Sequence, residues 1–454
     1  MQIKTHFCIV LFNTIVLASH AHEKVDVFKP DTHSHAEFGE AKSVRYLLYD
    51  VNPGEGFNLR RDVFMRVANL VKFLNDDEPW VLVLPPWGRL YHWKSQDLNQ
   101  IKVKWSTFFD LASLREHIPV IEFEDYLTVM GEEVVEEIYY LQRYKEGWTN
   151  GKWEEKMDIR DCIDRVPYQK DEDGKWRGWF FGYENVYAKK FACLSVQSEA
   201  GNMKSFLMKN TTSRSVMLER AEQVIHGQYS EFSSMSVMLD RAEQLIHGRS
   251  GQHSTNYWDA RRSMVFAKHL RDIGDEFRRE YLDSTDENDK TVLKSWTQMK
   301  KNHGEAKGGP YISVHLRRKD YLYAHKEQVP SLKYAAKQIK ELLKKNKLKK
   351  VFIASDCDEN DFETLKGFFK KAEIYRYKPT QEIREKYKDG GVAIIDQWIA
   401  AHARHFVGTY VSTFSFRIQE EREILGFDPE TTFNRLCSES EEECEQPSKW
   451  KIVY

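Results

Sequence analysis

Two short stretches carry residue types able to do chemistry. In Pro53-Gly-Glu-Gly-Phe-Asn58 a carboxylate, Glu55, sits between Gly54 and Gly56. Glycine lets a backbone come close to a ligand, and Asn58 is placed to cap a following helix, whose N-terminus attracts phosphate. An anion is a poor phosphate ligand, so the work open to Glu55 is taking a proton. The alternative for the same residues is a surface turn with a solvated glutamate. Far along the chain, His315-Leu-Arg-Arg-Lys-Asp320 sets Arg317, Arg318 and Lys319 where a nucleotide diphosphate would lie. A guanidinium grips phosphate through two hydrogen bonds and stays charged in any surroundings; a solvated basic loop is the alternative. Asp396 interrupts an apolar helical run and is expected to be buried and paired. Ser412-Thr-Phe-Ser415 opens the last predicted helix. Its hydroxyls and N–H groups can hold phosphate, or simply cap the helix.

The elements that position these residues follow from periodicity. Residues 46–51 form an apolar run and read as a buried strand, and Leu59, Val63, Val67, Leu70, Val71 and Leu74 recur at helical spacing behind it. Glu55 therefore lies at a strand–turn–helix joint, the place where open α/β sheets bind ligands. Strands are expected at 80–86 and 119–123. The polar exit Trp87-Gly-Arg-Leu-Tyr-His92 should share the sheet edge with Glu55. The aromatic stretch Arg177-Gly-Trp-Phe-Phe-Gly-Tyr183 reads as core packing, with a sugar- or partner-contacting loop as the alternative. From about residue 263 the alternation becomes regular. Helices are predicted at 263–278, 332–345, 361–371, 392–403 and 414–425, and strands at 311–316, 351–355, 374–377 and 406–408. Such alternation implies parallel βαβ units. The fold class is α/β, with two Rossmann-like domains facing each other, at 43–262 and 263–454.

The first 21 residues have the layout of a secretory signal peptide, with Lys4, an apolar segment at 7–17 and small residues near Ala21. Residues 22–42 read as a loose, His-rich leader. No later stretch reaches the roughly 18 apolar residues that a membrane span needs. Charge is nearly balanced, 68 basic against 70 acidic residues, which gives no support for nucleic-acid binding. Asn210-Thr-Thr212 is a glycosylation sequon, which makes sense only in a secretory protein. Cys8 leaves with the signal. Cys437 and Cys444 are close enough to close a small loop, Cys162 and Cys193 are the next candidate pair, and Cys357 is left over; any four paired cysteines allow three connectivities. A segment beginning Ser215-Val-Met-Leu-Glu-Arg-Ala-Glu-Gln recurs as Ser236-Val-Met-Leu-Asp-Arg-Ala-Glu-Gln, and reads as a local duplication of one amphipathic helix.

Together, Pro53–Asn58, Val83-Leu-Pro-Pro-Trp-Gly-Arg-Leu-Tyr-His-Trp93, His315–Asp320, Asp389-Gly-Gly-Val-Ala-Ile-Ile-Asp-Gln-Trp398 and Ser412-Thr-Phe-Ser-Phe-Arg417 resemble the GDP-fucose protein O-fucosyltransferases. The likeness is to the branch that fucosylates folded thrombospondin type 1 repeats in the endoplasmic reticulum. It implies a GT-B-like fold, GDP-fucose held in the cleft between domains with no essential metal or other cofactor, and inverting transfer to Ser or Thr. Under it, Glu55 corresponds to the base. Gly54, Glu55, Gly56, Phe57, Asn58, His315, Leu316, Arg317, Asp396, Thr413 and Phe414 correspond to donor-binding positions, with Ser412 beside them. Arg317 would stabilise the leaving diphosphate. The implied disulfides are Cys162–Cys193 and Cys437–Cys444. Two departures stand out: the family has one copy of the segment doubled here, and Cys357 and Asp358 lie outside its pattern. Asp356-Cys-Asp358 instead resembles the metal-holding Asp-x-Asp of a glycosyltransferase fold with a single nucleotide-binding domain. Rival functions are a non-catalytic binder of folded repeats and an O-fucosyltransferase for epidermal-growth-factor-like repeats.

Overall fold

In the computed structural model the strand predicted at 46–51 is β1, Arg45–Tyr49, with every residue buried. The structure describes residues 43–88, 90–146, 155–197, 200–222, 255–449 and 451–454. The predicted signal peptide at 1–21, the leader at 22–42, Arg89 and the second repeat copy at 236–248 lie outside the described residues. Beyond Arg45, β1 is built of large buried side chains because both its faces are covered. Leu47 and Tyr49 join a core with Val63, Val67 and Val71 of helix α1, Phe57–Leu74. Tyr46 and Leu48 point the other way, into a second core with Tyr126, Phe180 and Phe181. The aromatic stretch at 177–183 thus packs its two phenylalanines inward.

The remaining strands of this half are β2 (Trp80–Leu84), β3 (Val120–Glu122), β4 (Val134–Gln142), β5 (Lys156–Arg160), β6 (Gln169–Lys170), β7 (Trp176–Arg177), β8 (Tyr187–Gln197) and β9 (Ser215–Glu219). They run in the order β3-β2-β1-β9-β4-β8-β7-β6, with β5 also on β8. The pairs from β3 to β8 are parallel. β9 overturns one expectation: the first repeat copy begins as a strand rather than as a helix. Wedged in parallel between β1 and β4 and wholly buried, Ser215–Glu219 takes its conformation from its neighbours rather than from its helical spacing.

The second half is a parallel four-stranded sheet, β12-β11-β10-β13. Its strands are β10 (Gly309–Leu316), β11 (Lys350–Ser355), β12 (Glu373–Tyr375) and β13 (Ala403–Val407). The helix expected at 263–278 is two helices, Thr255–Ser263 and Lys268–Tyr281. The helix expected at 392–403 begins earlier, as Gln381–Ala401, and bends at Lys388, whose φ is 59°. Gly390 lets it lie against the first half, since a Cβ there would meet Phe108 at 2.7 Å and Trp93 at 2.8 Å. The described residues hold together as a single compact unit. No helix of the described residues is long and apolar enough to cross a membrane. Cys162–Cys193 and Cys437–Cys444 are disulfide-bonded, and Cys357 is buried and free. Asn210 is exposed at the end of its helix.

A buried charge cluster joins the halves. Arg261 donates to Glu420 at 2.6 Å and to Glu421 at 2.8 Å. Arg417, in the last helix Thr413–Leu425, lies 3.0 Å from Glu420 and donates to Asp62 of α1 at 3.4 Å. Tyr257 also donates to Glu420, and Arg61 of α1 donates to Gln397 at 2.8 Å. Removing one member of a buried ion pair strands the others, at about 3–5 kcal/mol. Glu420→Ala is therefore expected to lower unfolding stability by roughly that amount in denaturant titration. A loss below about 1 kcal/mol, the worth of an exposed pair, would show that the cluster does not hold the halves together.

Candidate active site

The loop between β1 and α1 is a tight turn: the Glu55 amide donates to the Asn52 carbonyl at 2.9 Å, and the Gly54 amide donates to Asn52 Oδ1 at 3.2 Å. Arg60, one turn into α1, donates to the carbonyls of Glu55, Val51 and Asn52. The expected cap is absent. α1 starts from Gly56 with no side-chain cap, and Asn58 lies inside the helix, where Oδ1 accepts from Arg61 and Gln397. A glycine at the cap leaves Asn58 free to bridge α1 to the helix that carries Gln397. Phe57 turns its ring inward, onto Trp87 at 4.8 Å and Phe108 at 5.4 Å, so only its backbone faces the loop.

Burial, then the charge of Glu222, pushes the Glu55 carboxyl up to about 7, against the pull of Arg60 and Arg66. Beside it, Gly56 is pressed against His92: a Cβ would lie 2.6 Å from the imidazole Cδ2. The β2 exit thus shares the edge with Glu55, as its polar sequence suggested. Burial and the neighbouring Arg317 hold the His92 ring neutral, with its pKa lowered to about 4. The exposed Tyr91 ring lies tilted against His92, with centroids 3.6 Å apart.

Arg317 reaches this point from the other half, with Nη2 3.4 Å from His92 Nδ1. Its fork donates twice to Asp320 at 3.0 Å, and Nε lies 3.2 Å from Asp356 without hydrogen-bond alignment. Two carboxylates therefore flank the Arg317 side chain. Arg318 turns away to Asp361 and the Pro330 carbonyl, so the three cations do not form one patch. Its backbone amide takes up Asp356 Oδ1, and Asp358 caps the helix Glu359–Gly367. Among the described residues no cluster of three His, Cys, Asp or Glu side chains is placed to hold a metal.

His315 is buried at the end of β10, stacked on Phe414 at 4.4 Å, with Nδ1 2.8 Å from Ser415 Oγ. Burial, helped by Arg317, lowers its pKa to about 3. Ser415 Oγ also accepts from the Thr409 amide, and Thr409 Oγ1 links the His315 carbonyl to the Arg317 amide. Leu316 is buried in the core and its carbonyl accepts from Ser355, so it offers nothing to a ligand through either group. Ser412 begins the last helix without a side-chain cap bond, which leaves the first amides at Thr413 and Phe414 without that partner. Val411, just before, has φ 43°, a strained value for a β-branched residue. Asp396 is half-buried, and its Oδ1, shielded from solvent, finds no hydrogen-bond partner, against the expected burial and pairing. Burial, opposed by Arg376, raises its carboxyl to about 7. The hydroxyl of neighbouring Tyr377 is likewise unpartnered.

Gly56, next in the chain to Glu55, and Arg317 thus meet at His92, while His315, Arg317, Thr413 and Phe414 gather at the β10 exit. Asp396 stands farther along the same sheet edge, beside Arg376, which donates to the carbonyls of Ser355 and Cys357 past β11. His92, Thr409, Arg60 and Tyr377 were not singled out from sequence, although His92 ends the stretch expected at the sheet edge; the Ser415 hydroxyl, expected to hold phosphate or cap the helix, instead binds His315 and Thr409.

Over residues 46–425 the chain matches the family model described as GDP-fucose protein O-fucosyltransferase. It is 52% identical over 417 residues to "GDP-fucose protein O-fucosyltransferase 2" of Homo sapiens, covering 92% of this chain and 91% of that one. The protein of the same name from Caenorhabditis elegans is 44% identical over 453 residues, covering 98% of both chains. The crystal structure of POFUT1 in complex with GDP-fucose aligns with a TM-score of 0.53 at 16% identity, covering 86% of this chain and 98% of that one. The last likeness is one of fold alone, and the fold is GT-B-like. By sequence, the chain belongs to the GDP-fucose protein O-fucosyltransferase family.

Proposed function

We propose that this member of the family moves fucose from GDP-fucose to Ser or Thr hydroxyls of folded thrombospondin type 1 repeats, with inversion, in the lumen of the endoplasmic reticulum. The donor is assigned to the half at 263–454 and the acceptor to the half at 43–262. The observation that carries this reading is Glu55, a carboxyl with its proton affinity raised to about 7, next in the chain to Gly56, which packs on the His92 ring that Arg317 reaches from the other half. The acceptor oxygen attacks the anomeric carbon while the bond to the diphosphate breaks, and its proton passes to a Glu55 oxygen. The bonding electrons leave with GDP. A hydroxyl is a weak nucleophile, so a positioned base helps, and Arg317 with the amides at Thr413 and Phe414 stabilises negative charge growing on the diphosphate. His315, neutral and held by Ser415, presents its ring without adding a second cation next to Arg317. The unpartnered Asp396 carboxyl is assigned to the donor's base, where a polar ligand would supply the missing hydrogen bond. No step calls for a metal.

Purified protein incubated with labelled GDP-fucose and a panel of folded and reduced repeat domains should label folded thrombospondin repeats. Label on epidermal-growth-factor-like domains would change the acceptor, and label on none would favour a repeat-binding module. Glu55→Ala should slow transfer by roughly 10²–10⁴-fold. Wild-type kcat should fall as pH drops below about 7, because a protonated carboxyl cannot take a proton, and the variant should lose this limb. An unchanged rate at saturating substrates would remove Glu55 from the reaction.

Arg317→Lys keeps the charge but loses the planar fork, which is not a conservative change at a two-point phosphate contact. The variant is expected to lose most transfer and to gain less melting temperature from GDP than wild type. Because Asp320 and Asp356 flank Arg317, melting without ligand is the control: a large drop there would make Arg317 a structural ion-pair partner instead. EDTA should leave transfer largely intact, and loss rescued by Mn²⁺ would overturn the metal-free mechanism.

A further inference from the structure

The turn that carries Glu55 is not held by α1 alone. Just past β9, Glu222 is only 5% exposed, and its Oε2 accepts the Asn52 amide at 3.1 Å. The Asn52 carbonyl in turn accepts the Glu55 amide at 2.9 Å. The other Glu222 oxygen accepts from Arg220 at 3.3 Å. Burying a carboxylate is costly unless its bonds are used, and this one is spent on the peptide unit that begins the Glu55 turn. We propose that Glu222 is a positioning residue for Glu55, fixing the turn through the Asn52 amide so that the base points at the acceptor hydroxyl. The inference rests on the reading of Glu55 as the base.

The charge of Glu222 has a second consequence. The ionisable groups facing Glu55 are Glu222 after β9, Arg60, Arg66 and Asp62 on α1, and Tyr91 from the β2 exit. Asp50 and Glu219 lie behind, within reach of the charges of Glu222 and Arg60. Glu222 raises the proton affinity of Glu55, and Arg60 lowers it. Arg60 also binds three carbonyls of the turn. The same two residues thus set both where the base sits and how tightly it holds a proton.

Glu222→Gln keeps an oxygen for the Asn52 amide but loses the charge, whereas Glu222→Ala loses both. The Gln variant should keep its plateau kcat within about threefold while the acidic limb of its pH profile moves to lower pH. The Ala variant should lose roughly 10–100-fold in kcat with the donor KM within about threefold, as expected of a misplaced group. In a Glu55→Ala background, Glu222→Ala should add almost nothing, because the two act as a unit. A full second loss in that background, or an unmoved limb in the Gln variant, overturns the proposal. If Glu55→Ala alone keeps wild-type rate and limb, the base reading has failed and this inference falls with it. The repeat supplies a further control, since Glu243 occupies the position of Glu222 in the second copy. Glu243→Ala should be silent. A loss there, with Glu222→Ala silent, would assign the role to the second copy and overturn the assignment to Glu222.

Discussion

Everything at the site depends on the buried charge cluster that ties α1 to the last helix. Asp62 lies just over one turn inside α1, and Arg417 one turn inside Thr413–Leu425. The starts of those two helices carry the Glu55 turn and the Thr413 and Phe414 amides. An ion pair one turn in from each start therefore fixes the separation of the two places where chemistry is assigned. Arg261 and Glu420 add a third helix, Thr255–Ser263, to the knot. Such clusters are weak evidence for stability, because desolvating the charges offsets their attraction. Their geometry is demanding, however, since a cation displaced by one helical turn would be buried without a partner. The cluster is best understood as a register device between the halves.

The same logic of close approach governs the edge itself. Gly56 admits the His92 ring, and His92 reaches Arg317; Gly390 admits Phe108 and Trp93. At Gly56 and Gly390 the contact needs a missing Cβ on one side and an aromatic or imidazole ring on the other. Asp389, next to Gly390, accepts from Ser95 and Gln100 and so secures the same junction with hydrogen bonds. Steric fit thus brings the elements together, while polar bonds choose their register.

How much of this was legible in the sequence divides along the range of the forces. β1, β2, β10 and β11 are covered on both faces, so their apolar runs announce them. The parallel pairing of the second half followed from its strand–helix alternation, though the order of its strands did not, and β4 and β8 were missed because strands with mixed polar residues show neither an apolar run nor a clean alternation. Ser215–Glu219 was misread because a span followed by Arg-Ala-Glu-Gln has helical spacing; its strand form is imposed by β1 and β4, which sequence order does not show. The Asn58 cap failed for a similar reason, since the partner that claims its side chain is Gln397, 339 residues away. The quoted stretches located the site, yet not the pairings within it. Arg318 and Arg317 are adjacent in sequence, and only the fold sends one to Asp361 and the other to His92.

Charge balance explains why two histidines can flank Arg317 at all. Were His92 and His315 protonated, three cations would crowd one strand exit, and the like-charge cost would add to that of burial. Both are held neutral, at about 4 and about 3, and so contribute ring contacts and hydrogen bonds without charge. This has a cost on acidification. Each ring would bind a proton in the unfolded chain below its ordinary value near 6.5 but not in the folded one until far lower. Protons then favour the unfolded state, and stability drains away as pH falls through that window. Glu55 and Asp396 run the other way, since their raised carboxyls favour the folded state at low pH and lose that advantage as pH rises through about 7. The two sets oppose each other between pH 4 and 7, and they share the burial that removes water from the edge. A dry edge is what gives a carboxyl enough affinity for a proton to act as a base, and neutral imidazoles spare Arg317 the company of two further cations beside it.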